Sequence, residues 1–196
     1  MGGLLSAFLV GLAAGASFGP VNIEVTKTAL VHRDSPIELA IGALLGDAIL
    51  LIACLAAVYV SVGLNINAWP YRLASGTFIA AIAIHSIYEG PSRDGGRETS
   101  RQRGVALARG FGLSTLSIFG IILWSAVAAT ISATRSAPID LAVPTLAVLA
   151  GDALWFALWL SVLMKGKRAV PARAIPLVHF GANAFLILFA ALTILH

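Results

Sequence analysis

Four stretches of this chain, Gly2 to Ile23, Ala48 to Tyr71, Gly110 to Thr134 and Ala174 to His196, contain no Asp, Glu, Lys or Arg. At 1.5 Å rise per residue, about 20 helical residues cross a hydrocarbon core ~30 Å thick, so each stretch is long enough to span a bilayer. Over the 196 residues 59% are hydrophobic and 11% charged, whereas soluble domains carry about 25% charged residues. No polar shell can be assembled from such a chain, and the lipid bilayer is its expected solvent.

Breakers divide the sequence into six expected helices at roughly 3–31, 36–62, 71–89, 105–133, 141–164 and 173–195. His32-Arg33-Asp34-Ser35-Pro36 reads as a polar turn with Ser35 as N-cap and Pro36 as first helical residue. Trp69-Pro70-Tyr71 places two aromatics at an interface. Gly90, Pro91, Gly95 and Gly96 among charges make 90–104 the one long loop. The fold class is therefore all-α and polytopic in one transmembrane domain, 1–196, with 1–89 and 105–196 as halves of three helices each.

Lys and Arg concentrate in short cytoplasmic loops. Arg33, Arg93, Arg97, Arg101, Arg103, Arg109, Lys165, Lys167, Arg168 and Arg173 flank the first, third and fifth loops, against Arg72 and Arg135 on the other side. Both termini are then expected outside a bacterial inner membrane. The formal charge of +4 is accounted for by these loops, so no nucleic-acid partner is expected. The first Lys or Arg is Lys27, so a signal peptide's basic n-region is missing and the first helix should stay in the mature protein. Met1-Gly2 with Ser6 formally fits a myristoylation start, which a chain of six spans does not need.

Leu44-x-Gly46-Asp47-Ala48 in the second helix repeats as Leu149-x-Gly151-Asp152-Ala153 in the fifth. Those helices are expected to run antiparallel, the arrangement of the inverted repeats of secondary transporters, whose sites lie near the midplane between the halves. Asp47 and Asp152 come about eleven and twelve residues into their helices, or ~16 to 18 Å from the entry face. A charge at that depth costs at least ~2.5 kcal/mol, which makes an intramembrane carboxylate a candidate for binding solute or exchanging a proton. The structural alternative is a hydrogen bond that ties helices together.

Gly19-Pro20 interrupts the first span, since proline removes a helix hydrogen bond and clashes with the preceding turn. A broken helix in lipid must face protein or a watery cavity, and its new N-terminus attracts anionic groups. The alternative is a plain kink. Asn22, Glu24, Thr26 and Lys27 follow as a polar cluster. Glu24 and Lys27, three apart, can pair on one face; alternatively Lys27 snorkels to the interface and leaves Glu24 to bind a cation or proton. Gly11, Gly15 and Gly19, like Gly42 and Gly46, recur every four residues, which favours close packing of the first two helices with Asp47 against the break, and also permits a homodimer. His85, His179 and the single Cys54 lack metal-ligand or disulfide spacing, so neither metal nor cofactor is expected. Asn183, one turn after His179, is expected to bond to a neighbouring helix.

Gly19-Pro20-Val21-Asn22, Gly42 with Gly46-Asp47-Ala48, Arg109-Gly110-Phe111, Gly151-Asp152-Ala153-Leu154-Trp155 and the basic run Lys165 to Arg173 occur in an order and spacing that resembles the LysE/RhtB family of amino-acid exporters over nearly the whole chain. The resemblance implies six helices with inverted repeats, export driven by the proton-motive force, and functional weight on Asp47, Asp152 and the first-helix break. That family usually has an Asn-Pro pair in its fourth helix. Here Ser117-Ile118 stands instead, so a second break is not called for, and Ser114, Thr115 and Ser117 remain to supply hydroxyls. The resulting expectation is a non-enzymatic, proton-coupled exporter of a small polar solute, with Asp47, Asp152, Pro20, Asn22, Glu24, Ser114 and Ser117 at its site. A non-transporting membrane subunit or divergent paralogue is the alternative. A thiol-relay redox protein would need a second cysteine beside Cys54.

Overall fold

The computed structural model describes residues 2–17, 19–31, 36–59, 69–89, 100–133, 141–166, 170–171 and 173–195. Among them there is no strand, and eight helices follow in order: α1 Gly2–Gly15, α2 Pro20–Val31, α3 Pro36–Tyr59, α4 Trp69–Glu89, α5 Ser100–Thr115, α6 Ile118–Ala133, α7 Ala142–Gly166 and α8 Ala174–Leu195. The expected cap Ser35, the end of the second helix beyond Tyr59, and Lys167 and Arg168 of the basic run lie outside the described residues.

Three helices are long and apolar enough to cross a membrane over Pro36–Val58, Ala142–Gly166 and Ala174–Leu192. Two further spans arise if α1 with α2, bent by 65°, and α5 with α6, bent by 63°, are each counted as one. The chain is thus a membrane protein, with three to five candidate spanning helices among the described residues. In α4 the described residues include a shorter apolar helical segment, Gly76–Tyr88.

The broken first span is found as expected; the second break is a correction. The fourth helix is not continuous over 105–133. It begins at Ser100, taking up the end of the expected 90–104 loop, and stops at Thr115. Ser117 then caps α6: the Gly120 amide donates to its Oγ at 3.3 Å, and the Ile121 amide to its carbonyl at 3.0 Å. A serine hydroxyl at an N-cap replaces the missing carbonyl partner of the first turn. Proline is not required to break a helix where such a cap is available.

Helix pairing also differs from expectation. The glycines of α1 do not seat it on α3. Instead α1 packs along α7, α3 along α5, and α4 along α8. At Gly11 a Cβ would overlap the Val148 backbone, and at Gly151 the Phe8 carbonyl; at Gly42 it would overlap the Leu107 carbonyl, and at Gly110 that of Leu39. Each crossing is thus glycine against backbone on both sides, and neither helix can carry a side chain there. Apolar clusters fill the spaces between pairs: Leu51, Trp124, Ala128 and Val148 in one, Val25, Leu39, Ala43 and Phe156 in another, Ile79, Ala83, Leu113 and Leu186 in a third. Large apolar side chains such as Leu146, Val162, Leu177 and Leu188 remain outward, as a lipid-facing surface requires.

Candidate functional site

Proline at position 20 stops α1 at Gly15, and the carbonyls freed by the stop need donors. Asn22 supplies them. Its Nδ2 donates to the Gly15 carbonyl at 2.9 Å and the Ser17 carbonyl at 2.7 Å. The Asn22 Oδ1 is 3.5 Å from the Trp155 indole nitrogen of α7. One turn further along each helix, Trp159 donates from Nε1 to Thr26 Oγ1 at 3.2 Å, and the two indoles stack at 5.8 Å. The break is therefore a fixed, hydrogen-bonded element rather than a loose kink, as buried backbone in lipid demands.

Asp47 lies about eleven residues into α3 and Asp152 about ten into α7, so each is ~15 Å or more along its helix. Both line one cavity, with Pro20 and Asn22 from the first break and Ser114 and Ser117 from the second. The empty space there is about 420 Å³, including its open side. Six of the seven residues singled out in the sequence thus come together from α2, α3, α5, α7 and the link between α5 and α6. The N-terminal turns of α2 and α6 both reach this cavity, through Pro20, Val21, Ser117 and Gly120. Each brings the partial positive charge of a helix start toward the two carboxylates.

The two carboxylates are held differently. Asp47 Oδ1 accepts hydrogen bonds from Ser114 Oγ and from Trp124 Nε1, each at 2.7 Å. Asp152 is 0% exposed, and neither of its oxygens has a hydrogen-bond partner among the described residues. Gly15 faces it so closely that a Cβ there would overlap Asp152 Oδ1. Two acidic groups lining one cavity, with no cationic side chain among the lining residues, make a place for protons or for a cationic group.

Glu24 is not part of this cavity, which corrects the expectation that it lines the site. It is fully buried and pairs with Lys27 at 2.5 Å and with Arg109 of α5 at 3.2 Å. Lys27 does not snorkel: it too is 0% exposed, and its Nζ donates to Asn183 Oδ1 at 3.0 Å. Asn183 reaches Ser86 of α4 and His179 of its own helix. This network ties α2 to α4, α5 and α8. Glu24 is ion-paired there with two cations and joins α2 to α5.

Trp124 and Arg109 are the site and network residues that the sequence left unassigned. Trp124 is 2% exposed, and a buried indole N–H needs an acceptor; that need was the only signal pointing to Asp47. Cys54 is buried beside Ser125, its Sγ 3.4 Å from the hydroxyl, and does not line the cavity. Among the described residues no group of three or more His, Cys, Asp or Glu could hold a metal. No protein-family model matches the chain, and no curated protein or solved structure is found to be similar to it.

Proposed function

We propose that this chain is a secondary transporter of the inner membrane that exports a small polar solute, an amino acid or a derivative of one, in exchange for protons. One observation carries the reading: two carboxylates deep in their helices share a cavity with the broken ends of two others. Lipid penalises both features, so their coincidence argues for a site rather than for packing.

In this reading α1 with α2, α3 and α4 form one three-span half and α5 with α6, α7 and α8 the other, inserted in opposite senses with both termini outside. The exchange of partners supports it: α1 lies on α7 as α5 lies on α3, and each crossing is a glycine pair. Related by such an inversion, Asp47 and Asp152 are counterparts, as are the two breaks. The resemblance to LysE/RhtB exporters agrees, and the break at Ser117 supplies what the missing Asn-Pro pair would otherwise provide. Solute would bind with an ammonium group near the aspartates and an anionic group near the helix starts, two chemistries that the cavity offers together.

The test is efflux from proteoliposomes under an imposed pH gradient, with candidate solutes first chosen by the thermal stabilisation they give the purified protein. Asp47→Asn and Asp152→Asn should each abolish gradient-driven efflux. Undiminished efflux by both variants overturns the assignment.

A further inference from the structure

The unequal environments of the two aspartates point to a division of labour within the proposed transport site. We propose that Asp152 is the residue that takes up and releases the coupling proton, while Asp47 stays ionised as the fixed negative charge, held so by the positioning residues Trp124 and Ser114. The inference rests on the exporter reading but is measured separately from it.

The contrast is geometric. Asp47 Oδ1 receives an indole N–H and a hydroxyl, both at 2.7 Å. Two such donors stabilise the carboxylate and have nothing to gain from its protonation, since a protonated carboxyl is a weaker acceptor. Among the described residues Asp152 has no donor on either oxygen and no solvent exposure, and Gly15 packs against its Oδ1 without offering a side chain. A naked carboxylate in that setting is among the most costly groups a protein can bury, whereas a neutral carboxyl is tolerated.

Beyond the partial positive charge of the α2 and α6 starts, which Asp47 shares, no charged side chain among the lining residues compensates Asp152. The adjoining α1 carries no ionisable side chain. From α3, Asp47 faces the same cavity and repels a second negative charge. From α2, Glu24 and Lys27 pair with each other outside the cavity. On α7 itself the only other ionisable residue is Lys165, more than three turns away. A proton added to an Asp152 oxygen gives a neutral carboxyl with no other bond changed, and its departure toward the opposite side restores the anion.

Infrared spectroscopy of the purified protein in lipid tests this without a transport assay, because a protonated carboxyl has a C=O stretch separate from the amide bands and shifted in heavy water. Followed above the range in which exposed carboxyls titrate, the band should titrate in the wild-type protein, vanish in Asp152→Asn and persist in Asp47→Asn. Trp124→Phe and Ser114→Ala, both retaining Asp152, should add a second titrating band as Asp47 loses a donor. A band that vanishes in Asp47→Asn and persists in Asp152→Asn overturns the proposal. So does the lack of any such band above the range in which exposed carboxyls titrate, the outcome expected if a metal cation such as sodium occupied the site. A band assigned to Asp152 in a protein that moves no solute would uphold this inference while removing the transport reading, and the reverse pattern would do the opposite.

Discussion

Replacing Glu24 by glutamine should unfold this protein more readily than any other single change in its buried network. Glu24 faces Lys27 at 2.5 Å and Arg109 at 3.2 Å, and Glu24 and Lys27 are both 0% exposed. At an effective dielectric of about 20, each contact amounts to roughly 5 to 7 kcal/mol of attraction before desolvation is subtracted. Desolvation offsets most of that, so the network as a whole contributes little beyond what apolar replacements would. Breaking it is another matter. Glu24→Gln leaves Lys27 buried, and Arg109 partly buried, without their shared carboxylate, at a cost of about 3 to 5 kcal/mol. Lys27→Met is milder, at about 1 to 3 kcal/mol, because Glu24 keeps Arg109 while Asn183 loses a donor. The double variant should be more stable than Glu24→Gln alone, since Arg109, 23% exposed, can turn toward water. Helix content followed by circular dichroism through an SDS titration of mixed micelles gives the three values. Additivity of the two single changes within about 0.5 kcal/mol would mean the residues are not coupled and would refute the reasoning.

Other outcomes follow from local geometry. Ser117→Ala should lower stability by about 1 kcal/mol through loss of the α6 cap, whereas Ser117→Gly should cost only a few tenths, a difference readable as a thermal shift in detergent. Gly151→Ala should destabilise markedly, since its Cβ would overlap the Phe8 carbonyl, while Gly181→Ala, with nothing within 4 Å, should gain up to about 1 kcal/mol of helix propensity; equal effects would dismiss the α1–α7 crossing. Cys54→Ala should leave efflux unchanged, because the thiol lies outside the cavity; loss of efflux would reopen a role for it.

How much of this was legible depended on whether a residue contrasts with its surroundings. Asp47 and Asp152 stand out because a carboxylate within an apolar helix has no ordinary reason to be there, and the structure brings both to one cavity. Pro20 announces its break through a missing N–H. The second break left no comparable mark, since Ser117 does its capping with a hydroxyl that also fits a continuous helix, and only Gly112, Ser114, Thr115 and Gly120 around it hinted at weak helix. Partner choice was not legible at all. A glycine face announces that another helix will come close without saying which, and the match of Gly11 with Gly151 and of Gly42 with Gly110 is a property of pairs. Glu24 was misplaced for the same reason: its second partner, Arg109, is 85 positions away, and nothing local distinguishes a carboxylate held by two cations from one waiting for a ligand.

The two interruptions differ in permanence. Proline can never donate the amide hydrogen that would splice α1 to α2, so that elbow is written into the covalent chain. The elbow at Ser117 is held by a 3.3 Å contact between a hydroxyl and the Gly120 amide, and every residue there retains its own N–H. The covalent chain therefore does not forbid a straight α5–α6, as it forbids a straight α1–α2; the packing of α6 on α3 and the Trp124–Asp47 hydrogen bond are what hold that angle.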